Sequence, residues 1–416
     1  MMKSLYILAL LTAFLRPVKA QQYNILHYGV RSDSTVIQTR AIQKVIDKAF
    51  AKGGGVIVIP KGTYLTGALF FKQKTSLVLQ EGAVLKGSDE IKDYPFIPSR
   101  MEGQSLDYYA ALINAYGVDG FSIKGPGTIN GNGLKFWKTF WAHREEMKKL
   151  GKTSNNLEVS RPRLIFIWKS DHVKIQQVQL RNSGFWTTHL YQCNDVLVED
   201  TNIQSPFKPV PAPSSDGIDL DVCKRVTIRN CYISVNDDAI VIKGGKGPTA
   251  HQLPQNGIVE DVLIENCRFG PSHATLTIGS ECIHAKNITM KNCVVENNCP
   301  ILKFKMRGDT FQVFENITID HITGTCGSVI DLNSWSQFFD LGATEAKPFG
   351  IIKNIKVSNI KVKSTKFGVM QGNPLDQVSD FSFINVEVTT SNPVLKNKYE
   401  DVQFENVMVN GKAIVH

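Results

Sequence analysis

The segment Val226-Thr227-Ile228-Arg229-Asn230-Cys231 carries the pattern that decides the fold. Apolar and polar residues alternate along it, and an Asn followed by a Cys ends it. The same pattern returns at Val262–Cys267 and at Ile288–Cys293. Alternation with a period of two is typical of a β-strand with one buried face. Weaker copies begin at residues 173, 196, 317, 355, 381 and 402, so the chain repeats one short strand unit many times.

The spacing of these copies indicates a solenoid of stacked coils. Successive copies begin between 21 and 38 residues apart, an irregular period that fits coils with loops of different length. Short strands at this period suit a parallel β-helix, whose coils stack at about 4.8 Å. A β-propeller would need a more even period, and a β-sandwich would need two-residue hairpin turns, which are scarce here. The sequence therefore predicts an all-β, single-domain parallel β-helix.

One helix is predicted near the start of the chain. Asp33-Ser34-Thr35 offers an N-cap, apolar residues follow at helical spacing over Ile37–Ala49, and Gly53-Gly54-Gly55 ends the helix. We expect this helix to cap the open end of the core. A segment with two Trp residues and a charged helical run interrupts the repeat over residues 131–160, and we expect it at the rim of a groove.

Residues 1–20 have the features of a secretory signal peptide. Lys3 precedes an apolar run over Leu5–Leu15, and Val18-Lys19-Ala20 matches the small-residue cleavage pattern. Since the run is too short to span a bilayer stably, we expect an exported protein, periplasmic or extracellular, without a membrane anchor. Residues 21–416 would then form the β-helix.

Composition and charge narrow the class of partner. A hydrophobic content of 42% supports a sizeable core, and 32 Gly with 17 Pro favours turns over long helices. The formal net charge is +9, and three of these positive charges lie in the N-terminal segment, which leaves +6. The Lys and Arg residues are dispersed without a basic run, which with export argues against nucleic acid. We expect a monomer that binds an acidic polysaccharide.

The eight Cys residues are predicted to be buried free thiols. Cys231, Cys267 and Cys293 take the same place in the repeated unit, which indicates inward-facing positions rather than cross-links. Disulfides are the alternative in an exported protein.

Two windows, Ser214–Asp221 and Val235–Ile240, hold five Asp residues and stand out as a candidate site. Asp216 and Asp237 are 21 residues apart, about one short coil, so stacking brings them close in space. Crowded carboxylates repel each other, so at least one is expected to have a raised pKa and to stay protonated, as a general acid must. A neighbouring ionised carboxylate, such as that of Asp238, could then activate water.

His273, then Lys303 and Lys305, follow one and two repeats further on, and the Lys residues could hold a substrate carboxylate. Simpler interpretations exist for each feature. Asp219 and Asp221 read as turn or cap residues, and the Asp237-Asp238 pair as calcium ligands. His273 would be a hydrogen-bonded structural residue, and Lys303 and Lys305 would form a solvated face of a strand. Their coincidence on successive repeats favours a site that hydrolyses an acidic glycan.

These residues resemble glycoside hydrolase family 28, the polygalacturonases, whose members carry Asn-Thr-Asp, Asp-Asp, Gly-His-Gly and Arg-Ile-Lys motifs in this order. The matching segments here are Ser214-Ser215-Asp216, Asp237-Asp238, Ser272-His273-Ala274 and Lys303-Phe304-Lys305. The resemblance spans nearly all of the chain after the N-terminal segment and implies a right-handed parallel β-helix. It also implies an enzyme without metal or organic cofactor that inverts the anomeric carbon.

The resemblance assigns a role to each residue. Asp237 would be the general acid, Asp216 and Asp238 would hold and deprotonate the water, and His273 would support the protonation of the acid. Lys305 would bind a galacturonate carboxylate.

Lys303 departs from the family pattern, which has Arg at this position. A Lys cannot reproduce the bidentate guanidinium fork. The family Arg faces the leaving-group galacturonate, so its loss fits a leaving group without a carboxylate, such as rhamnose. Cleavage of α-galacturonosidic bonds in homogalacturonan and in rhamnogalacturonan therefore both stay open. The segment Ile278–Glu281 and the one with Trp137 and Trp141 are similar to exo-acting members. A calcium-dependent pectate lyase and a non-catalytic glycan-binding β-helix are the alternative functions.

Overall fold

The structure, a computed structural model, describes residues 20–337, 339 and 346–414. The predicted signal peptide, apart from Ala20, therefore lies outside the described residues. A long stack of parallel strands runs through the described chain, and most coils contribute three short strands. Each strand pairs with the strand one coil further on, so the coils build three parallel ladders around one apolar core.

The ladder that carries the candidate residues is named the site sheet. It consists of Leu69–Phe71, Ile113–Tyr116, Ile165–Trp168, Thr188–Tyr191, Ile218–Asp221, Asp238–Lys243, Ala274–Ile278, Pro300–Arg307 and Ser328–Trp335. The second ladder consists of Gln22–Asn24, Gly55–Ile59, Thr75–Leu79, Ser122–Lys124, Lys174–Gln176, Asn194–Glu199, Lys224–Arg229 and Ile258–Glu265. The third consists of Asp33–Ile37, Gly62–Thr66, Ala83–Gly87, Thr128–Asn130, Gln179–Arg181, Asn202–Gln204, Tyr232–Ser234 and Arg268–Phe269.

Towards the C-terminus the strands lengthen and run on from one ladder into another. They are His284–Glu296, Gln312–Cys326, Gly350–Gly372, Gln377–Asn397, Val402–Val409 and Lys412–Ala413. One antiparallel hairpin, Phe96–Met101 with Gln104–Tyr109, stands outside the stack and is named the 96–109 hairpin.

The Asn of the repeated unit marks a turn between strands. Asn359, Asn385 and Asn406 have φ angles of 53°, 54° and 51°, in the left-handed region that Asn tolerates better than most residues. Their side chains bond from coil to coil, since Asn385 donates to Asn359 at 3.2 Å and Asn406 to Asn385 at 2.8 Å. The residue after each Asn turns inward, and all eight Cys residues are buried free thiols, as predicted.

The N-terminal helix, Thr39–Ala51, covers the start of the core with Ile42, Val45, Ile46 and Ala49. Its predicted N-cap is wrong. Asp33 to Ile37 form a strand, and the Asp33 carboxylate instead accepts hydrogen bonds from the amide and hydroxyl of Thr35. The side-chain acceptor that looks like a cap therefore stabilises a local turn, and the helix begins six residues later.

The interrupting segment contains a second helix, Leu134–Lys149, longer than the charged run predicted there. Phe136, Trp137 and Phe140 bury one face of it, which a reading based on its charges missed. Short 3-10 turns occur at Ile25–Tyr28, Ile91–Asp93 and Ala250–Gln252. None of the helices within the described residues is long and apolar enough to cross a membrane.

Candidate active site

The stacking register of the site sheet brings the predicted acids together. Ile218 pairs with Ile240, an offset of 22 residues, so Asp216 lies opposite Asp238 on the next coil. The carbonyl of Asp238 accepts a hydrogen bond from the Gly217 amide at 3.0 Å, beside this pair. One coil further on, the His273 amide donates to the carbonyl of Asp237 at 2.8 Å. The register therefore sets the carboxylates and the imidazole side by side.

All six predicted site residues line one cleft of about 250 Å³ on the outer face of this sheet. They are Asp216, Asp237, Asp238, His273, Lys303 and Lys305. The prediction that residues from four separate coils share one face is therefore correct. The cleft is also lined by side chains that the sequence did not single out for the site, among them Glu102, Arg144, Lys243 and Trp335.

Asp238 is held ionised by a lysine. Its carboxylate is 1% exposed, and Lys305 Nζ lies 2.6 Å from its Oδ2. Although burial alone would raise the pKa of Asp238, the charges of Lys305 and Lys303 hold it below its usual value. The other oxygen, Oδ1, is buried and accepts no hydrogen bond among the described residues. Asp238 is thus held ionised, and its Oδ1 accepts no hydrogen bond from the described protein groups.

The pKa of Asp216 is shifted in the opposite direction. Burial first, and then the charges of Asp237 and Asp219, raise its pKa well above the usual value. Asp219, fully buried behind it, has its pKa raised by burial to about 7 and lies 3.5 Å from Lys243 Nζ. The expectation that crowding keeps a carboxyl protonated is met at this buried pair.

The prediction that Asp219 and Asp221 are turn or cap residues is wrong. Both lie inside the strand Ile218–Asp221 and are fully buried. Asp221 accepts two hydrogen bonds from the Arg100 guanidinium, at 2.9 and 3.3 Å. Although burial alone would raise it, the charge of Arg100 lowers the pKa of Asp221 to about 2. Isolated strand-end acids are common in turns, and only the three-dimensional pairing shows that these two are neutralised in the interior.

His273 lies beside Asp237, with Nδ1 3.5 Å from its Oδ1. The contact with Asp237 raises the pKa of His273, and burial offsets part of this effect. An imidazolium stabilises a negative charge on a neighbouring carboxylate. The amide of Asp238 donates to the same Oδ1 at 2.9 Å.

The 96–109 hairpin lies across the site sheet at the N-terminal end of the cleft. Arg100 fixes it to the sheet through the buried ion pair with Asp221. Arg163, also buried, donates to the carbonyl of Arg100 at 3.0 Å and contacts His189 Nδ1 at 2.7 Å. The body of the hairpin therefore covers the sheet at Tyr191 and Asp221 and forms a fixed wall at this end, while its tip, at Gly103, packs on Glu281.

Lys303, Lys305 and Trp335 lie at the other end of the cleft. Lys305 Nζ is 4.7 Å and Lys303 Nζ 5.6 Å from the centre of the Trp335 ring. An aromatic ring beside two cations suits a sugar that stacks on an apolar face and carries or neighbours a negative charge.

The cleft-lining side chains that were not predicted differ in how far the sequence could have indicated them. Lys243 and Glu281 form an ion pair at 3.3 Å. Lys243 ends the strand that begins at the predicted acid Asp238, so its position was detectable in principle, and Glu281 lies in the segment Ile278–Glu281 that resembles exo-acting members in sequence. Glu102 comes from a hairpin outside the repeat, and no periodic signal points to it. Among the described residues, no group of three or more His, Cys, Asp or Glu is arranged to hold a metal ion.

A family model described as glycosyl hydrolases family 28 matches residues 56–403. Because this match covers far more than half of the sequence, the chain belongs to family 28 of the glycosyl hydrolases. The resemblance seen in the motifs is thereby confirmed.

Two relatives agree with this assignment. A grapevine (Vitis vinifera) protein named as a probable polygalacturonase is 29% identical over an alignment of 274 residues, and the match covers 63% of this chain. That match covers 52% of the grapevine protein, so the chain spans about half of its length. An exo-poly-alpha-D-galacturonosidase of Dickeya chrysanthemi is 24% identical across 92% of this chain and 70% of that enzyme.

Solved structures support the fold. An exopolygalacturonase from Thermotoga maritima superposes with a TM-score of 0.75 at 21% identity and covers 95% of this chain and 94% of its own. A polygalacturonase from Erwinia carotovora gives a TM-score of 0.60 at 20% identity and covers 95% of this chain and 98% of its own. The predicted right-handed parallel β-helix is therefore confirmed.

The Lys305–Asp238 ion pair leads to a prediction about the pH dependence of activity. Replacing Lys305 by Met removes the cation that lowers the pKa of Asp238, so this carboxylate protonates at a higher pH. We expect the acid limb of the kcat/KM profile to move up by about 1–3 pH units. Lys303→Met removes a cation from the same cleft without breaking an ion pair to Asp238, and should move the limb less. If Lys305→Met lowers kcat/KM equally at every pH, Lys305 serves substrate binding alone.

Proposed function

We propose that the protein is an inverting glycoside hydrolase that cleaves α-galacturonosidic bonds in the backbone of pectin. The observation that carries the proposal is the single cleft that unites three carboxylates, an imidazole and two lysines on a family 28 scaffold. The relatives named as polygalacturonases support the substrate class. We also propose that the protein is exported and monomeric.

In the proposed reaction Asp237 donates its proton to the glycosidic oxygen as the bond from that oxygen to C1 breaks. A water molecule attacks C1 from the opposite face and passes a proton to a carboxylate, which closes the proton balance. Asp238 suits this acceptor role because Lys305 keeps it ionised and no described protein group donates to its Oδ1. Asp216, opposite Asp238, helps to hold the water. The His273 imidazolium stabilises the Asp237 carboxylate after the transfer.

The type of pectin backbone that is cleaved depends on the end of the cleft that holds Lys303, Lys305 and Trp335, which is named the open end. Lys303 and Trp335 face the position that the leaving group would occupy. A lysine ammonium accepts a galacturonate carboxylate less specifically than a guanidinium does, and the Trp335 ring offers an apolar platform to a neutral sugar such as rhamnose. Homogalacturonan and rhamnogalacturonan both remain in the proposal.

The walled end of the cleft supports exo action. The 96–109 hairpin is held by the buried Arg100–Asp221 ion pair and by the hydrogen bond from Arg163 to the Arg100 carbonyl, so a polymer that runs past Asp216 in this direction would have to displace it. Asp216 lies on the walled side of Asp237, whereas the lysines lie on the other side. The sugar attacked at C1 would therefore occupy the walled end, and its leaving group the open end. We infer that the enzyme removes short products from the non-reducing end.

A calcium-dependent lyase with the same substrate is the second candidate. The family 28 match favours hydrolysis over elimination. Activity that survives a chelator, without the ultraviolet absorbance of an unsaturated product, would exclude the lyase.

Asp237→Asn tests the proposed acid. The Asn side chain keeps an oxygen that can accept from the Asp238 amide, so the fold should be retained. Without a proton to donate, kcat should fall by at least about 100-fold. Circular dichroism and reducing-end release on pectic oligomers measure the two effects. Asp107→Asn, which alters an exposed acid on the 96–109 hairpin, is the matched control and should keep full activity. Undiminished turnover by Asp237→Asn would refute the mechanism.

Chain-end attack has its own test on long homogalacturonan and rhamnogalacturonan. Reducing ends should accumulate while viscosity falls slowly, and one short product should dominate from the first minutes. An early ladder of intermediate lengths with a rapid loss of viscosity would show that the chain is cut internally.

A further inference from the structure

A second cavity adjoins the active-site cleft, and the proposed chemistry does not use it. It encloses about 690 Å³ between the second helix, Leu134–Lys149, the loop over residues 152–158 and Gln337. We name it the helix cavity. Trp141, Arg144 and Gln337 line both this cavity and the cleft, so the two meet along these three side chains.

The second helix runs along the stack of coils towards the open end of the cleft. Trp137 Nε1 donates to the carbonyl of Ser183 at 2.9 Å, and Trp141 Nε1 donates to the carbonyl of Pro211 at 2.8 Å. Ser183 and Pro211 precede neighbouring strands of the site sheet. One helical turn of about 5.4 Å therefore advances the helix by one coil of about 4.8 Å. The turns after Trp141 approach Gln337, with which they form the helix cavity.

Three cations line the helix cavity. Arg144 and Lys148 are four residues apart, so their side chains project from the same face of the helix, and Lys152 follows from the loop. Arg144 is half-buried, donates to Asn156 at 3.2 Å and packs on the ring of Phe140 at 5.0 Å. Lys148 and Lys152 are exposed, and no acid among the described residues forms an ion pair with either. Both ammonium groups can therefore pair with an anion from solution.

The acids at this cavity do not cancel these charges. Glu158 is bonded to His143 at 2.7 Å and accepts from the Asn155 amide at 3.0 Å, so its charge is already engaged. Glu145, on the helix, is the other acid among the described residues that line the cavity. Three cations against one unengaged acid leave an excess of positive charge beside the cleft, which attracts a carboxylate.

Gln337 connects the helix cavity with the open end of the cleft. It follows closely after Trp335, and its carbonyl accepts a hydrogen bond from the buried Arg307 at 3.0 Å. Lys303 and Lys305 lie beside the Trp335 ring. A sugar chain that leaves the catalytic acids through the open end therefore passes Trp335 first and then reaches the helix cavity.

We propose that the helix cavity binds the second sugar on the leaving-group side of the cleaved bond, with Lys148 and Lys152 paired to its carboxylate. This inference rests on the proposed cleavage of α-galacturonosidic bonds. In homogalacturonan the second sugar is a galacturonate like every other. In rhamnogalacturonan the two sugars alternate, so the leaving rhamnose is followed by a galacturonate. The same subsite therefore serves either backbone, and it provides a carboxylate contact even where the sugar at Lys303 is neutral.

The position of the lysines determines what their contact changes. It lies far from the bond that breaks, so it stabilises the bound substrate and the transition state equally, which lowers KM and leaves kcat unchanged. Because both lysines are exposed, the contact is modest in strength and is weakened by salt.

The experiment compares two oligomers of equal length that share the cleaved bond. The second sugar on the leaving-group side is a free galacturonate in one and its methyl ester in the other. The backbone is whichever of homogalacturonan and rhamnogalacturonan the enzyme hydrolyses. Wild type should show a kcat/KM about 5-fold higher on the free acid, because only this oligomer has a carboxylate for the lysines. The double variant Lys148→Ala with Lys152→Ala should raise KM on the free acid by about 5-fold and bring the ratio close to one.

Two further variants of the same helix serve as controls. Lys149→Ala removes an exposed lysine that does not line the cavity, and it should keep the wild-type ratio. Glu145→Gln removes the acid that opposes the lysines, so it should raise the ratio by about twofold. Circular dichroism should show the wild-type fold for each variant.

Each outcome bears on the proposal. Equal kcat/KM of wild type on the two oligomers would overturn it, as would an unchanged ratio in the double variant or an effect on kcat alone. Added salt should bring the wild-type ratio towards one, and a ratio independent of salt would contradict an ionic contact. If the protein hydrolyses neither backbone, the proposed function fails and the inference fails with it. Hydrolysis of both oligomers with equal kcat/KM refutes the role of the helix cavity alone.

Discussion

The site depends on the parallel hydrogen-bonded register of the site sheet. A shift of this register by one residue would turn every outward side chain into the core, because side chains alternate along a strand. The offset of 22 residues between Ile218 and Ile240 is therefore what places Asp216 against Asp238. The stacking interval of about 4.8 Å then sets the spacing between the acid, the imidazole and the lysines. A rigid ladder supplies the geometry that the chemistry needs.

The register also creates an electrostatic problem, because it gathers five acids on adjacent coils. Buried cations lie beside several of these acids and offset part of the repulsion. Arg100 neutralises Asp221, Lys243 lies between Asp219 and Glu281, and Lys305 is paired with Asp238. Removing one partner of such a pair leaves an uncompensated buried charge, which is strongly destabilising. The same pairs separate ionised from protonated carboxylates, and so they define which groups can donate and which can accept a proton.

The repeat could be predicted from the sequence because each coil must bury the same short apolar face. Period-two alternation and the Asn turns therefore predicted the β-helix, and the motif spacing predicted which coils carry Asp216, Asp237 and His273. Features outside the repeat were not predictable in this way. Glu102 reaches the cleft from a hairpin with no periodic pattern. The N-terminal helix begins later than its apparent cap because Asp33 belongs to a strand. The buried state of Asp221 required knowledge of its partner, Arg100, 121 residues away.

The central claim is that Asp237 and the water-holding carboxylates act from opposite faces of the sugar, so that the anomeric carbon is inverted. Proton NMR of the first product formed from an α-linked pectic oligomer tests this most directly, before mutarotation mixes the anomers. The account predicts the β-anomer as the initial product. Initial release of the α-anomer, or of an unsaturated uronate, would contradict it.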